Sequence, residues 1–299
     1  MGIPTKVIVF GATGATGSYA ALQAHQEGAQ VTLAVRDPSK PIPLLDGIPA
    51  EKVQADLTKP ETLTDAVQQT GATAAYIYVI FDTHDHMRAS LVALKEAGIT
   101  SIVLLSSFSV QGDPASIPAD DFIPYEHAQV EISLEEVFGI DNFVSIRPAF
   151  FASNILWFKA GIAAGKVKHA NFDALADYIS PEDIGRVAGS ILVNGSSEHV
   201  VSLAGLDELT LSEALALVAN VLGKEIKTTW VSAQEMKVDR MEQGVEEPLA
   251  QWLVTDVTEH AGAFFTFPTY SEAMGNIKKY IKRDPIRFHQ WLEENKDKF

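Results

Sequence analysis

Lys6-Val7-Ile8-Val9-Phe10-Gly11-Ala12-Thr13-Gly14-Ala15-Thr16-Gly17 is the stretch that decides the fold. The unbroken apolar run Val7 to Phe10 reads as a strand buried on both faces, and the turn after it opens a helical pattern over Ala15–Glu27. The glycines recur as G-x-x-G-x-x-G. Their missing side chains permit a tight turn, close approach of a pyrophosphate to the backbone, and close helix-to-strand contact. Free amides at the helix N-terminus, with the helix dipole, favour an anion there. Alone such a pattern is weak, but here strand, turn and helix follow in the required order. Gly11, Thr13, Gly14, Ala15, Thr16 and Gly17 are therefore expected to hold the pyrophosphate of a dinucleotide.

Outward from this turn, short β-branched runs alternate with amphipathic stretches. Strands are predicted at Gln30–Val35, Val53–Ala55, Ala74–Ile80, Ser101–Ser107 and Asn142–Arg147, and helices at Pro60–Gln69, Asp82–Ala97 and Pro124–Phe138. That rhythm predicts an α/β fold, a doubly wound parallel sheet of Rossmann type. After Arg147-Pro148 helices dominate. Four of them open with a hydroxyl three residues before an acid: Ser180/Asp183, Thr210/Glu213, Ser232/Glu235 and Thr269/Glu272. Each pair is placed to satisfy first-turn amides from both side chains. Gly223 stops a helix over Leu211–Leu222, and short strands are expected at His199–Leu203 and Glu225–Trp230.

At the end of the second strand an acid would accept from the ribose 2′-hydroxyl of NAD. Here stands Arg36, followed by Asp37-Pro38-Ser39-Lys40. A guanidinium suits a 2′-phosphate and Lys40 adds a second positive charge, so NADP is the expected cofactor. The competing reading is a solvated surface arginine. Asp56 and Leu57 end the third strand, where adenine would lie; Asp56 either accepts from the adenine amino group or merely precedes a Thr58/Glu61 capping pair. Ile80 and Phe81 follow the fourth strand and are expected beside the cofactor. With no Gly/Ser-rich linker, residues 1–150 read as an NADP-binding core. Residues 151–299 read as a small, mostly helical substrate-binding lobe of the same compact unit, parts of which return to the core.

The composition is that of a soluble globular chain, with 46% hydrophobic and 21% charged residues over 299 positions. A formal net charge of −16 repels a phosphate backbone, so nucleic acid is not an expected partner. Cysteine is absent, which excludes disulfides, thiolate metal sites and thiol catalysis. No apolar run approaches membrane-spanning length, so a cytoplasmic protein without membrane contact is expected.

Together these residues resemble the NmrA-like group of the atypical short-chain dehydrogenases/reductases, over most of the chain. The carriers are the Gly11–Gly17 turn, Val35-Arg36-Asp37-Pro38-Ser39-Lys40, Leu105-Ser106-Ser107, Arg147-Pro148-Ala149-Phe150-Phe151-Ala152-Ser153-Asn154 and Ile179-Ser180-Pro181-Glu182-Asp183-Ile184. The resemblance implies an NADP(H)-binding core with a C-terminal lobe closing over the nicotinamide end, near Pro148 and Ala149. Members of the group range from reductases of quinones, imines and polarised double bonds to proteins that bind the cofactor and signal redox state without turnover.

In catalytically typical relatives a Ser, a Tyr and a Lys four residues later cooperate. Ser107 matches the serine, and Tyr125-Glu126-His127-Ala128-Gln129 matches the Tyr-x-x-x-Lys segment with Gln129 where lysine belongs. Positions 125 and 129 share one helix face, and glutamine can still hydrogen-bond ribose hydroxyls. It carries no charge, however. Loss of a cation roughly 4–5 Å from a phenol forfeits about 3–4 kcal/mol at an effective dielectric near 20. Acid/base work by Tyr125 is weakened, and a role as a wall or lid residue competes with it. Hydride transfer to an already electrophilic acceptor depends least on that proton.

Asp82, His84, Asp85 and His86 follow the fourth strand. Their alternation offers no third ligand on one side, so no metal is expected, and one histidine as proton donor competes with helix capping. His127 lies off the Tyr125/Gln129 face and is expected to be inert. His84, Phe150, Phe151 and Asn154 are the candidate substrate contacts. Trp157, Phe158 and the Phe264-Phe265-Thr266-Phe267-Pro268 cluster are further aromatics suited to a flat ligand, and the last helix, around Ile286 to Leu292, reads as a docking helix.

The expected function is NADPH-dependent reduction of a small, planar, electrophilic molecule of quinone, enone or imine type. Two others compete: NADP(H) binding as a redox sensor without turnover, and a redox-neutral reaction in the same pocket. A homodimer and a regulatory protein partner both stay open.

Overall fold

The computed structural model describes residues 5–81 and 83–299. In the first half the chain forms β1 (Lys6–Phe10), α1 (Ala15–Gln26), β2 (Gln30–Val35), β3 (Glu51–Gln54), α2 (Pro60–Thr70), β4 (Ala74–Tyr78), α3 (Arg88–Ala97), β5 (Ser101–Leu105), α4 (Phe122–Phe138) and β6 (Phe143–Pro148). There follow α5 (Lys159–Ala163), β7 (Lys166–His169), β8 (Leu175–Ala176), α6 (Pro181–Asn194), β9 (Val200–Leu203), β10 (Leu209–Thr210), α7 (Leu211–Leu222), β11 (Lys227–Trp230), α8 (Ala233–Glu242), α9 (Glu247–Glu259), α10 (Tyr270–Ile281) and α11 (Phe288–Glu294).

Seven strands in the order β3-β2-β1-β4-β5-β6-β9 build one wholly parallel sheet. Alternate residues of the same strand serve opposite cores. Val7 and Val9 pack with α1 and α6, whereas Ile8 and Phe10 pack with α2, α3 and α4. This is why the strands read as continuous apolar runs. The order reverses between β1 and β4, and the crevice at their carboxyl ends is where an open α/β sheet binds its ligand. The doubly wound Rossmann-type fold is thus the observed one, with a helical lobe holding two small sheets, β7–β11 and β8–β10.

Helix α6 belongs to the second half of the sequence but lies flat on α1. A side chain at Gly185 would come within 2.3 Å of the Thr16 carbonyl, and one at Gly189 within 2.3 Å of that of Ala20. Only glycine admits this backbone contact, and it buries Ala20, Ala21 and Ala24 completely.

Four of the anticipated helix starts differ. Capping boxes form at Thr210 and Ser232. At Ser180 the hydroxyl accepts from the Glu182 amide, but Asp183 turns away to take Arg283 (2.7 Å) and the Ile286 amide (2.7 Å). At Thr269 the hydroxyl meets Gln111 instead, and Lys59, not Thr58, caps α2. The helix read from Asp82 begins only at Arg88, because His86 and Met87 adopt left-handed backbone and break the turn. Among the described residues no helix is long and apolar enough to cross a membrane.

Candidate functional site

The turn after β1 is a cradle made of backbone. Gly11 has φ +69°, and a Cβ there would meet the Tyr78 ring at 2.8 Å; a Cβ at Gly17 would sit 2.3 Å from the Gly11 carbonyl. The Gly14 amide donates to the Gly11 carbonyl at 2.8 Å, closing the turn. No side chain caps α1, and its first turn carries no acid, so the amide-bearing helix end faces outward uncontested. Thr13, Gly14 and Ala15 are exposed. Beneath them the buried Tyr76 hydroxyl donates to Thr16 Oγ1 at 3.0 Å, a brace from β4 that no local pattern announced. Empty Cβ positions and an uncapped helix end whose first turn carries no acid suit a dinucleotide pyrophosphate.

At the end of β2, Arg36 and Lys40 are exposed, and among the described residues neither makes an ion pair. Asp37 does not compete with them for position. Its carboxylate accepts from the Ser39 hydroxyl (2.6 Å) and amide (3.0 Å), bonds that hold it below the usual carboxylate range. Asp56 likewise turns onto Thr58, accepting from its amide and hydroxyl at 3.0 and 2.8 Å. Partial burial pushes the Asp56 carboxyl up, but these bonds, with Lys59 and Arg36 nearby, leave it low. Leu57 is buried beside it.

The opposite end of the crevice is assembled from the loop after β4, the ends of β5 and β6, and the first turns of α4. Thr83 ties the loop by accepting from the Met87 amide at 3.1 Å. Phe81 meets Phe122 and His127 edge-on, with centroids 5.7 and 5.6 Å apart, and His86 meets Tyr125 at 6.0 Å. Ile80 lies in the same loop, half-buried. His84 is exposed, so of the two histidines it is His86 whose ring reaches Tyr125. The His86 backbone is left-handed at φ +48°, and its Nδ1 is buried without a hydrogen bond among the described residues. His127 is deeply set; burial, and secondarily the Arg147 cation, push it down to about 3, so it is neutral. Asp82 lies outside the described residues.

Ser107 follows β5, and its hydroxyl pairs with Ser109 Oγ at 2.7 Å. Gln129 is half-buried one turn beyond Tyr125 on α4 and makes no hydrogen bond among the described residues. Pro148 accepts from the Phe108 amide at 3.0 Å, which joins the ends of β5 and β6, and the Ala149 amide donates to Leu203 at 2.9 Å. Phe151 bridges Ile179, and Asn154 sits half-buried in the turn that follows. Phe150 packs its ring on Tyr178 and Trp157 in the lobe core. The Phe264–Phe267 cluster covers Phe108, the residue after Ser107.

Two features behind this end were not anticipated. Arg147 forks onto Glu131, and Glu131 also accepts from Ser106 at 2.5 Å, in a fully buried network between β6, β5 and α4. Asp177 is buried too, and accepts from the Phe150 amide at 2.8 Å and the Gly205 amide at 2.6 Å. Burial pushes its carboxyl up to about 7. Arg147 stood in the sequence as part of a motif, but nothing local marked Glu131 or Asp177 as its counterparts in the architecture.

The model of an NAD(P)H-binding family matches residues 11–192. The nitrogen metabolite regulation-like protein bik4 of Gibberella fujikuroi is 33% identical over 97% of this chain and 96% of its own. Among solved structures, the Escherichia coli NADPH-dependent quinone oxidoreductase QOR2 complexed with NADPH superimposes with a TM-score of 0.73 at 22% identity, covering 97% of this chain and 99% of that one. The Citrobacter sp. triphenylmethane reductase complexed with NADP(H) gives 0.70 at 17%, covering 96% and 99%. Both likenesses are of fold.

Proposed function

The chain belongs to the NmrA-like, NAD(P)H-binding family of atypical short-chain dehydrogenases/reductases, and on that premise we propose that it is an NADPH-dependent reductase of a small, planar, electrophilic substrate such as a quinone, enone or imine. The observation that carries the proposal is the pairing of Tyr125 with Gln129 in place of a lysine, beside a complete dinucleotide cradle. NADPH, when bound, would supply the hydride.

The chain's own residues would then do the following. Gly11, Thr13, Gly14, Ala15, Thr16 and Gly17 hold the pyrophosphate, while Arg36 and Lys40 hold the 2′-phosphate and so select NADP over NAD. Asp56 and Leu57 flank the adenine, Ile80 and Phe81 lie beside the cofactor, and Pro148 with Ala149 flank the nicotinamide. Ser107 and Tyr125 orient the acceptor oxygen or nitrogen by hydrogen bonds, with Gln129 on the ribose. His86 is near enough to Tyr125 to share that task, which suits a substrate that needs little proton assistance. Phe150, Phe151, Asn154 and His84 are the proposed substrate surroundings. The presence of an NADPH-dependent quinone oxidoreductase and a triphenylmethane reductase among the fold neighbours accords with this substrate class.

The test is NADPH oxidation, followed at the nicotinamide absorbance, against a panel of quinones, enones and imines. Turnover of one class is expected. Silence across the panel with NADPH still bound would move the assignment to the second reading, a redox sensor. That reading draws on the same uncharged Gln129 and on the regulation-like name of bik4. A sensor would bind oxidised and reduced cofactor with different affinities and change a protein partner with them, which calorimetry with each form would reveal.

A further inference from the structure

A pocket of about 700 Å³ opens on the C-terminal lobe between α5, β7 and α8, and of its lining residues only Trp157, which packs on Phe150, touches the site just described. In its wall stands Arg240, 8% exposed. Trp157 and Phe158 face the guanidinium at 5.8 and 5.3 Å from their ring centroids. Among the described residues it makes neither a hydrogen bond nor an ion pair. A buried cation is costly unless something replaces its water. Two ring faces compensate part of that loss but engage only the face of the guanidinium plane; the edge, with its five N–H donors, meets no protein acceptor among the described residues and stays accessible from the pocket. Burial draws the arginine below its usual range, with the Asp239 charge pulling the other way.

We infer that this pocket binds a small amphipathic monocarboxylate, its carboxylate on the edge of Arg240 and its flat or aliphatic body against Trp157, Val167, Met236 and Ala164. A planar fork of donors matches a carboxylate in bidentate geometry. The remaining wall is largely apolar, and the volume is that of ordinary small-ligand sites. Glu235, Asp239 and Glu242 of α8 also line it, as do Lys166 and Lys168, so with Arg240 the charges of the wall balance and a singly charged anion suits it better than a doubly charged one. Trp157 and Val238 leave 47% and 43% of their surface open there, apolar area a ligand would cover.

The test uses the full chain, with tryptophan fluorescence and calorimetry, and phenylacetate as the probe. Saturable binding is expected, and phenylacetamide, which lacks the charge, should bind about 10- to 100-fold more weakly. Arg240→Met, which keeps an apolar stem against the two rings, should lose phenylacetate by a similar factor while NADPH binding is unchanged. Should that variant fail to fold, Ala164→Trp fills the pocket from an exposed position and should abolish phenylacetate binding with Arg240 intact. No saturation by phenylacetate or octanoate at millimolar concentration would overturn the inference. So would equal binding of the amide, tighter binding of phenyl phosphate, or undiminished binding in both variants.

Discussion

Arg147, on the last strand of the first half, donates through Nε at 3.0 Å and through a second guanidinium nitrogen to the two carboxylate oxygens of Glu131, in the middle of α4. Its remaining nitrogen reaches the Val110 carbonyl at 2.8 Å, so one buried side chain joins β6, α4 and the segment after Ser107. Glu131→Gln would leave the guanidinium charge buried without its counterion. Loss of one partner of such a pair costs about 3–5 kcal/mol. Chemical denaturation should show a loss of that order, whereas a paired Glu131→Leu/Arg147→Met change should be much milder.

Arg36→Ala should raise the Kd for NADPH about 10- to 100-fold and leave that for NADH within about twofold, since only the former carries the 2′-phosphate the guanidinium addresses. Calorimetric titration with both cofactors reads the ratio directly. An equal loss for both would mean that Arg36 acts on the fold and not on the phosphate.

Gln129→Lys restores a cation on the Tyr125 face of α4. It should raise kcat for a substrate that needs a proton, such as an unactivated ketone, by about tenfold or more, and change quinone reduction little. Parallel kcat measurements on the two substrates against pH test this. The gain should follow the phenol and not the cofactor affinity.

Asp256 on α9 is pushed up to about 6, chiefly by burial and further by Asp121, with His260 pulling the other way. The native state therefore holds a proton that the unfolded chain, with an aspartate near its ordinary value of about 4, has released. Stability from this group is complete below about pH 4 and is lost as pH rises to about 6. Asp256→Asn should flatten that part of the Tm-against-pH curve. Trp252 of the same helix donates to Asp121 at 2.7 Å, just before α4, so the loosening should appear first as exposure of Trp252 to quencher.

The doubly wound class and the glycine turn were legible because their signals are local: an apolar run, then glycines, then a helical period, all within the stretch from Lys6 to Glu27. In the lobe, the expected strand at Glu225–Trp230 is found at Lys227–Trp230, but its partner was not legible. Lys166–His169 and Lys227–Trp230 pair in parallel across a long separation, and Lys-Val-Lys-His shows no distinctive alternation of its own. The late start of α3 depends on the positive φ of His86 and Met87, which are not residue types that announce it. At the site, Arg36, Tyr125 and Gln129 could be read from motif positions. Glu131, Tyr76 and Asp177 could not, because an inward-facing polar residue is recognised only by the partner that tertiary structure brings to it.

The glycine flank of α6 ties two distant stretches of the chain to one act of binding. The helix whose tip would receive the phosphates leans, along its rear, on a segment translated some 170 residues later. A nascent chain therefore carries the whole glycine turn long before it owns the buttress that steadies it. Severed at residue 150, the leading fragment would present Ala20, Ala21 and Ala24 to water, and competence to hold the dinucleotide should arrive only once the trailing part of the polypeptide has emerged.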